Sequence, residues 1–132
     1  MAIKIVVAGC AQLPAGVDFP PLEAAKYGWE QYPALTDEGI VERCWRAYTV
    51  VALATAIKLA ALEKMPRLKL LIVTIEVARH LDQDAVQEYG VELLILPSAH
   101  CKGPAGAEDL CKRISQAIDH YIRNIENKGV LP

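Results

Sequence analysis

Three short stretches hold the residues whose types and spacing suit chemistry. The first is Gly9-Cys10-Ala11-Gln12, which ends the apolar run Ile3 to Ala8. A thiol at a strand end, beside a loop with many free N–H groups, ionises more readily and becomes a nucleophile. The second is Glu76, which directly follows the apolar run KLLIVTI, Lys69 to Ile75. A carboxyl held against such a strand is expected to be part-buried, which raises its pKa and suits it to general acid or base work. The third is Ser98-Ala99-His100-Cys101-Lys102, after the run VELLIL and Pro97. It supplies an imidazole, a second thiol and an ammonium.

Each has a plainer reading. Most free cysteines are small buried apolar residues, so Cys10 alone reads first as packing at a tight turn. Glu76 can bridge to Arg79 or Lys102, or favour the start of the next helix. His100 and Cys101 are adjacent, and neighbouring side chains on extended backbone point apart, so both serve one site only where the loop turns. Cys10, His100 and Cys101 together make a Cys/His/Cys donor set for zinc or another thiophilic metal. Their spacing matches no metal signature, so metal binding is the weaker alternative. The turn Gly103-Pro104-Ala105-Gly106 is neither a dinucleotide nor a P-loop fingerprint, and Glu108 and Asp109 near the helix start oppose a phosphate there.

The elements that must position these residues follow from the apolar runs. Strands are expected at 3–9, 69–75 and 91–96. Between the first strand and residue 35, Pro14, Gly16, Pro20, Pro21, Gly28 and Pro33 interrupt any long regular element. A long loop is therefore expected at 10–35, with room for one short strand. It holds Phe19, Tyr27, Trp29 and Tyr32, half of the chain's aromatic residues. An aromatic-rich segment is expected to cover something, and long ordered loops are commonly functional. Thr36-Asp37-Glu38 marks a helix start, with Thr36 as the capping residue. The next break is Pro66, so a helix is expected over 37–64. Its second half, Ala47 to Leu62, is apolar nearly all round, and such a helix must be buried on all sides. One small sheet cannot provide that, so a homo-oligomer packed through helix 37–64 is expected. A shorter helix is expected at 77–89, with Asp82 as a start or interruption and Gly90 as the stop. A final helix is expected from about Ala107 to Asn127. Cys44 and Cys111 fall in helices and read as packing residues.

Strands alternating with helices imply right-handed crossovers and a parallel sheet. The expected fold is a single α/β domain spanning 1–132. It is a three-layer sandwich in the order βαβαβα, Rossmann- or flavodoxin-like, with a long loop after strand 1. In open parallel sheets, ligands bind outside the carboxyl ends of the strands. That places Cys10, Glu76 and His100 at one edge as the catalytic candidates. Gln12, Tyr27, Trp29, Tyr32, Ser98, Cys101 and Lys102 are the ligand-binding candidates.

Composition narrows the function classes. A net charge of −2 lacks the basic excess of a nucleic-acid-binding surface. The four cysteines show no CxxC spacing and no disulfide framework, and no signal segment or membrane span is evident, so a reduced cytoplasmic protein is expected. The dinucleotide fingerprint is absent after the first strand, which leaves the cofactor unassigned. Two functions fit these residues. One is a domain that binds a small metabolite, as a transferase or hydrolase with its site under the 10–35 loop. The other is a noncatalytic ligand-binding, regulatory or assembly subunit.

Overall fold

Apolar β-branched runs form strands that are covered on both faces when the sheet is parallel. A computed structural model describes residues 3–9, 19, 27–53, 57–96 and 103–128. Among them are five strands: β1 (Ile3–Ala8), β2 (Tyr27–Tyr32), β3 (Thr49–Ala52), β4 (Leu70–Thr74) and β5 (Glu92–Leu96). All pair in parallel, in the order β2-β1-β3-β4-β5. This is one of the two common doubly wound orders, the one found in flavodoxin-like sheets. The helices are α1 (Asp37–Cys44), α2 (Leu59–Leu62), α3 (Ile75–Ala78), α4 (Gln83–Glu88) and α5 (Gly103–Lys128).

Strand alternation divides the core in two. Val6, Val50, Leu71 and Val73 point to one face, where Ile40 and Cys44 of α1, Ala61 and Leu62 of α2, Val77 of α3 and Val86 of α4 cover them. Ile5, Val7, Val51, Leu70 and Ile72 point to the other, under Leu110, Ile114, Ile118 and Ile122 of α5. The four α5 residues recur every fourth position and form one helical stripe. The result is a three-layer α/β sandwich. No described helix is long and apolar enough to cross a membrane.

Several ends are fixed where the sequence places them. The Gly39 N–H donates to Thr36 Oγ1 at 3.0 Å, capping α1. The Ala85 N–H donates to Asp82 Oδ1 at 3.0 Å, so Asp82 starts α4 and separates it from α3. Gly90, at φ +73°, ends α4 in the left-handed region that a Cβ disfavours. The last helix begins at Gly103, one turn earlier than its apolar spacing suggests.

Two expectations are corrected. The span 37–64 is not one helix: α1 ends at Cys44, β3 occupies Thr49–Ala52, and α2 is a single turn. The all-round apolar character of this span has a different cause. β3 lies between β1 and β4, with every residue buried, so its apolar faces are satisfied within the chain. The argument for an oligomer built on that helix therefore loses its physical basis. The second correction concerns 10–35. The one short strand for which 10–35 left room is Tyr27–Tyr32, so these residues are edge strand β2 and not part of the long loop, paired with β1 from Ile3↔Tyr27 to Ala8↔Tyr32.

The α5 layer carries an unusual cost. The hydroxyls of Thr49, Thr74 and Ser115 are buried with no hydrogen-bond partner among the described residues. Alternation sets Thr49 and Thr74 on the α5 face beside Val51 and Ile72. A buried hydroxyl without a partner costs about 1–3 kcal/mol.

Thr74→Val keeps the shape and removes that cost, so it should raise stability by about 1 kcal/mol in urea unfolding. A destabilised variant would show that the hydroxyl has a partner. The burial gradient across the sheet gives a second expectation. Ile72 is fully buried, and Ile72→Ala should lose about 2–5 kcal/mol. Ile95 on edge strand β5 is 39% exposed. Ile95→Ala should lose under about half of that in the same experiment.

Candidate functional site

The strand order reverses beside β1: β2 lies on one side, and β3, β4 and β5 lie on the other. In open α/β sheets, ligands bind outside the carboxyl ends of the strands at such a reversal. Register aligns this edge. Tyr32, Ala8, Ala52, Val73 and Ile95 occupy one row, and Thr74 and Leu96 lie one step beyond. Gly9 follows β1 at φ +93°, a conformation that suits glycine, and its N–H donates to the Tyr32 carbonyl at 3.0 Å. The Leu53 N–H donates to the Ala8 carbonyl at 2.9 Å, so the end of β1 is tied to both neighbours.

Of the residues expected at this edge, Glu76 is described. It lies in the first turn of α3, directly beyond the β4 end, which agrees with the strand-end position. It is exposed rather than part-buried. The reason is that the chain turns into α3 at Ile75, and the inward positions of that turn are Val77 and Ala78. Cys10, Gln12, Ser98, His100, Cys101 and Lys102 lie outside the described residues, and so does the whole Cys10/His100/Cys101 donor set. Among the described residues, no group of three or more His, Cys, Asp or Glu could hold a metal ion.

The aromatic candidates do not share a site. Tyr27 and Trp29 point to the α5 face of β2, where Trp29 packs on Phe19 at 5.3 Å and on Tyr27 at 6.5 Å between ring centroids. Tyr32 points to the opposite face, beside Leu35 and Val41. Tyr27 is also at the far end of the strand, about 17 Å from Tyr32 at 3.3 Å per residue. Only Tyr32 is at the carboxyl edge.

A charged group that composition alone does not reveal surrounds Tyr32. Its hydroxyl donates to Glu30 Oε1 at 2.5 Å, and Lys4 Nζ lies 3.3 Å from Glu30 Oε2. The Arg43 guanidinium stacks 5.4 Å from the Tyr32 ring centroid. Lys4 and Glu30 lie on adjacent strands, on the α1 face. Lys4 was visible in the sequence as the one polar break in β1, and a lone charge in a buried strand implies a partner on its neighbour. The Tyr32 hydrogen bond holds the Glu30 carboxyl below its ordinary range, with Lys4 adding to the effect against a smaller opposing cost of burial. The same hydrogen bond pushes the Tyr32 phenol up. Behind them, burial pushes the Cys44 thiol up to about 11, so it is a thiol and not a nucleophile near neutral pH. Cys44 and Cys111 are both buried, as expected of packing residues.

These shifts set a pH window. A carboxyl with a depressed folded pKa contributes stability above its unfolded pKa and loses it as pH falls through the folded value. A phenol with a raised folded pKa contributes below its unfolded pKa and loses that as pH rises through the folded value. Glu30→Gln should therefore lower the urea midpoint near neutral pH. The gap to the parent protein should close below about pH 4 and narrow again above about pH 10. A gap independent of pH would show that the carboxylate is not engaged.

A comparison against known protein families finds none whose model matches this chain, and no curated protein matches it in sequence.

Proposed function

We propose that the chain is a domain that binds a small polar metabolite at the carboxyl ends of its strands, beside the junction of β1 and β3. One observation carries this reading: the strand order reverses between β1 and β3 in an all-parallel sheet. Such a reversal opens a crevice at the strand ends without any special sequence there. The left-handed Gly9 lends support, because a residue without a Cβ at a strand end lets a ligand approach the backbone. The segment 10–35 supplies Cys10 and Gln12 directly after Gly9, and the segment after β5 supplies Ser98, His100, Cys101 and Lys102.

A transferase or hydrolase is the catalytic form of this proposal. Cys10 would then attack, and Glu76 and His100 would move protons. The exposed Glu76 fits a group that meets a ligand from solvent. The net charge of −2 favours a small ligand over nucleic acid.

A noncatalytic assembly subunit is the second reading, and edge strand β5 favours it. Ile95 is an exposed apolar residue there, and Ile75, which follows the neighbouring strand β4, is another. Exposed apolar side chains on an unpaired strand edge invite a further chain, including a second copy of this one.

Amide NMR with a panel of small phosphates and carboxylates separates these. The ligand-binding reading expects saturable shifts at Gly9, Leu53, Ile75 and Glu76. It expects none at Ile3, Thr49 and Leu70 on the opposite edge. Cys10→Ser that binds the same molecule but no longer turns it over would establish the nucleophile. Shifts confined to the opposite edge, or no saturable shift at all, would remove the carboxyl-edge site.

A further inference from the structure

The opposite edge of the sheet carries a concavity. A pocket of about 240 Å³ opens between the amino-terminal ends of β4 and β5 and the middle of α5. Leu70, Leu94 and Ala117 give it an apolar floor and wall, and Glu92, His120 and Tyr121 stand around them. This volume lies below the roughly 300–1,000 Å³ of pockets that hold drug-sized molecules. Its occupant is correspondingly small.

The polar groups are held in place by backbone. The Glu92 N–H donates to the Lys69 carbonyl at 2.8 Å, and the Tyr121 hydroxyl reaches the same carbonyl at 3.3 Å. The Tyr121 ring also packs on Tyr48, with centroids 6.4 Å apart. The Glu92 backbone and the Tyr121 side chain are therefore anchored to the start of β4, whose position the sheet fixes. Burial, aided by the nearby Glu92 charge, pushes the Tyr121 phenol up to about 12, so it stays a neutral donor.

Charge selects the ligand. Among the described lining residues, Glu92 is the one carboxylate, and there is no lysine or arginine. Glu92 forms no salt bridge among the described residues, whereas Asp109 and Asp119 on α5 pair with Arg113 and Arg123. A carboxylate without a described counter-charge, at the rim of an apolar depression beside an aromatic ring, complements an ammonium on a hydrocarbon body. Carboxylates form charge-assisted hydrogen bonds with such groups, and tyrosine faces attract cations.

We propose that this pocket binds a small organic ammonium. Its hydrocarbon part sits on Leu70, Leu94 and Ala117, and its charge meets Glu92. The site is separate from the carboxyl-edge crevice and does not depend on the function proposed there.

Benzylammonium is the probe, with benzyl alcohol as its neutral counterpart and benzoate as its anionic one. Titration of the whole chain, followed by NMR, should give saturable shifts at Leu70, Leu94 and Ala117 with benzylammonium. Glu92 is solvent-exposed and its charge is screened, so benzylammonium should bind about two- to fivefold more tightly than benzyl alcohol. Benzoate should not bind. Glu92 is exposed, so Glu92→Gln should fold normally and bring the amine and the alcohol to the same affinity. Ala117→Leu should fill the pocket and weaken both. Equal binding of amine and alcohol by the parent protein, or amine binding unchanged in Glu92→Gln, would overturn the proposal. So would pocket resonances that shift with protein concentration alone, because the occupant would then be a second copy of the chain.

Discussion

The structure depends on the burial of β3. Thr49-Val50-Val51-Ala52 has neighbours on both edges and helices over both faces, and none of its residues reaches solvent. A buried strand satisfies its backbone N–H and C=O groups only through adjacent strands. β1 and β4 must therefore flank it in register, and they do, from Ile5↔Thr49 and Thr49↔Leu70 onward. Parallel pairing in turn requires that the chain cross back over a face between strands, which α1, α2 and the α3–α4 pair do on the same side. The remaining face is left to α5. One four-residue strand thus fixes the number of layers and the side each helix takes.

That same strand explains what could be read from the sequence and what could not. Local signals at element ends were legible because they are local chemistry: the Thr36 and Asp82 caps and the Gly90 stop each involve one side chain or one backbone torsion. The α/β class followed from alternating apolar runs. The span 47–62 misleads because a strand buried on both faces shows no alternation, and a helix buried on all sides shows no amphipathic stripe. Both read as continuous apolar sequence. The β-branched run Thr49-Val50-Val51 carried the strand signal, and the alanines around it outweighed that signal. Once the strand is recognised, the excess hydrophobicity that suggested an oligomeric helix is accounted for inside one chain.

The candidate site was legible as a place more than as a set of residues. A rule about strand ends needs only the order of elements, and Glu76 does lie where β4 ends. Its exposure was not legible, because whether a chain enters a helix at Ile75 or continues as strand decides which residues turn inward. The aromatic residues show the same limit. Trp29 and Tyr32 are three positions apart in an edge strand, so pleating sends them to opposite faces. Seen as a loop, 27–32 had no faces to separate them. Lys4 gave the better clue, since a charge within a buried strand implies a partner across the ladder, and Glu30 is that partner.

The two sheet edges are handled differently, and this bears on what can approach each. β2 places Glu30 on the face toward α1, ties it to Lys4 and Tyr32, and lays Arg43 on the Tyr32 ring. Charge on an edge strand disfavours pairing with another chain. β5 has one charged residue, Glu92 at its first position, followed by Leu93-Leu94-Ile95-Leu96. Its carboxyl half is consequently the apolar half, and there Ile95 is exposed. Its amino half combines a carboxylate with a depression against α5. A second chain would gain most at Ile95, and a small cation would gain most at Glu92. The single charge at the start of β5 separates these two uses of one strand: it resists extension of an apolar contact past Leu94 and leaves the pocket beside α5 accessible to a solute of opposite charge.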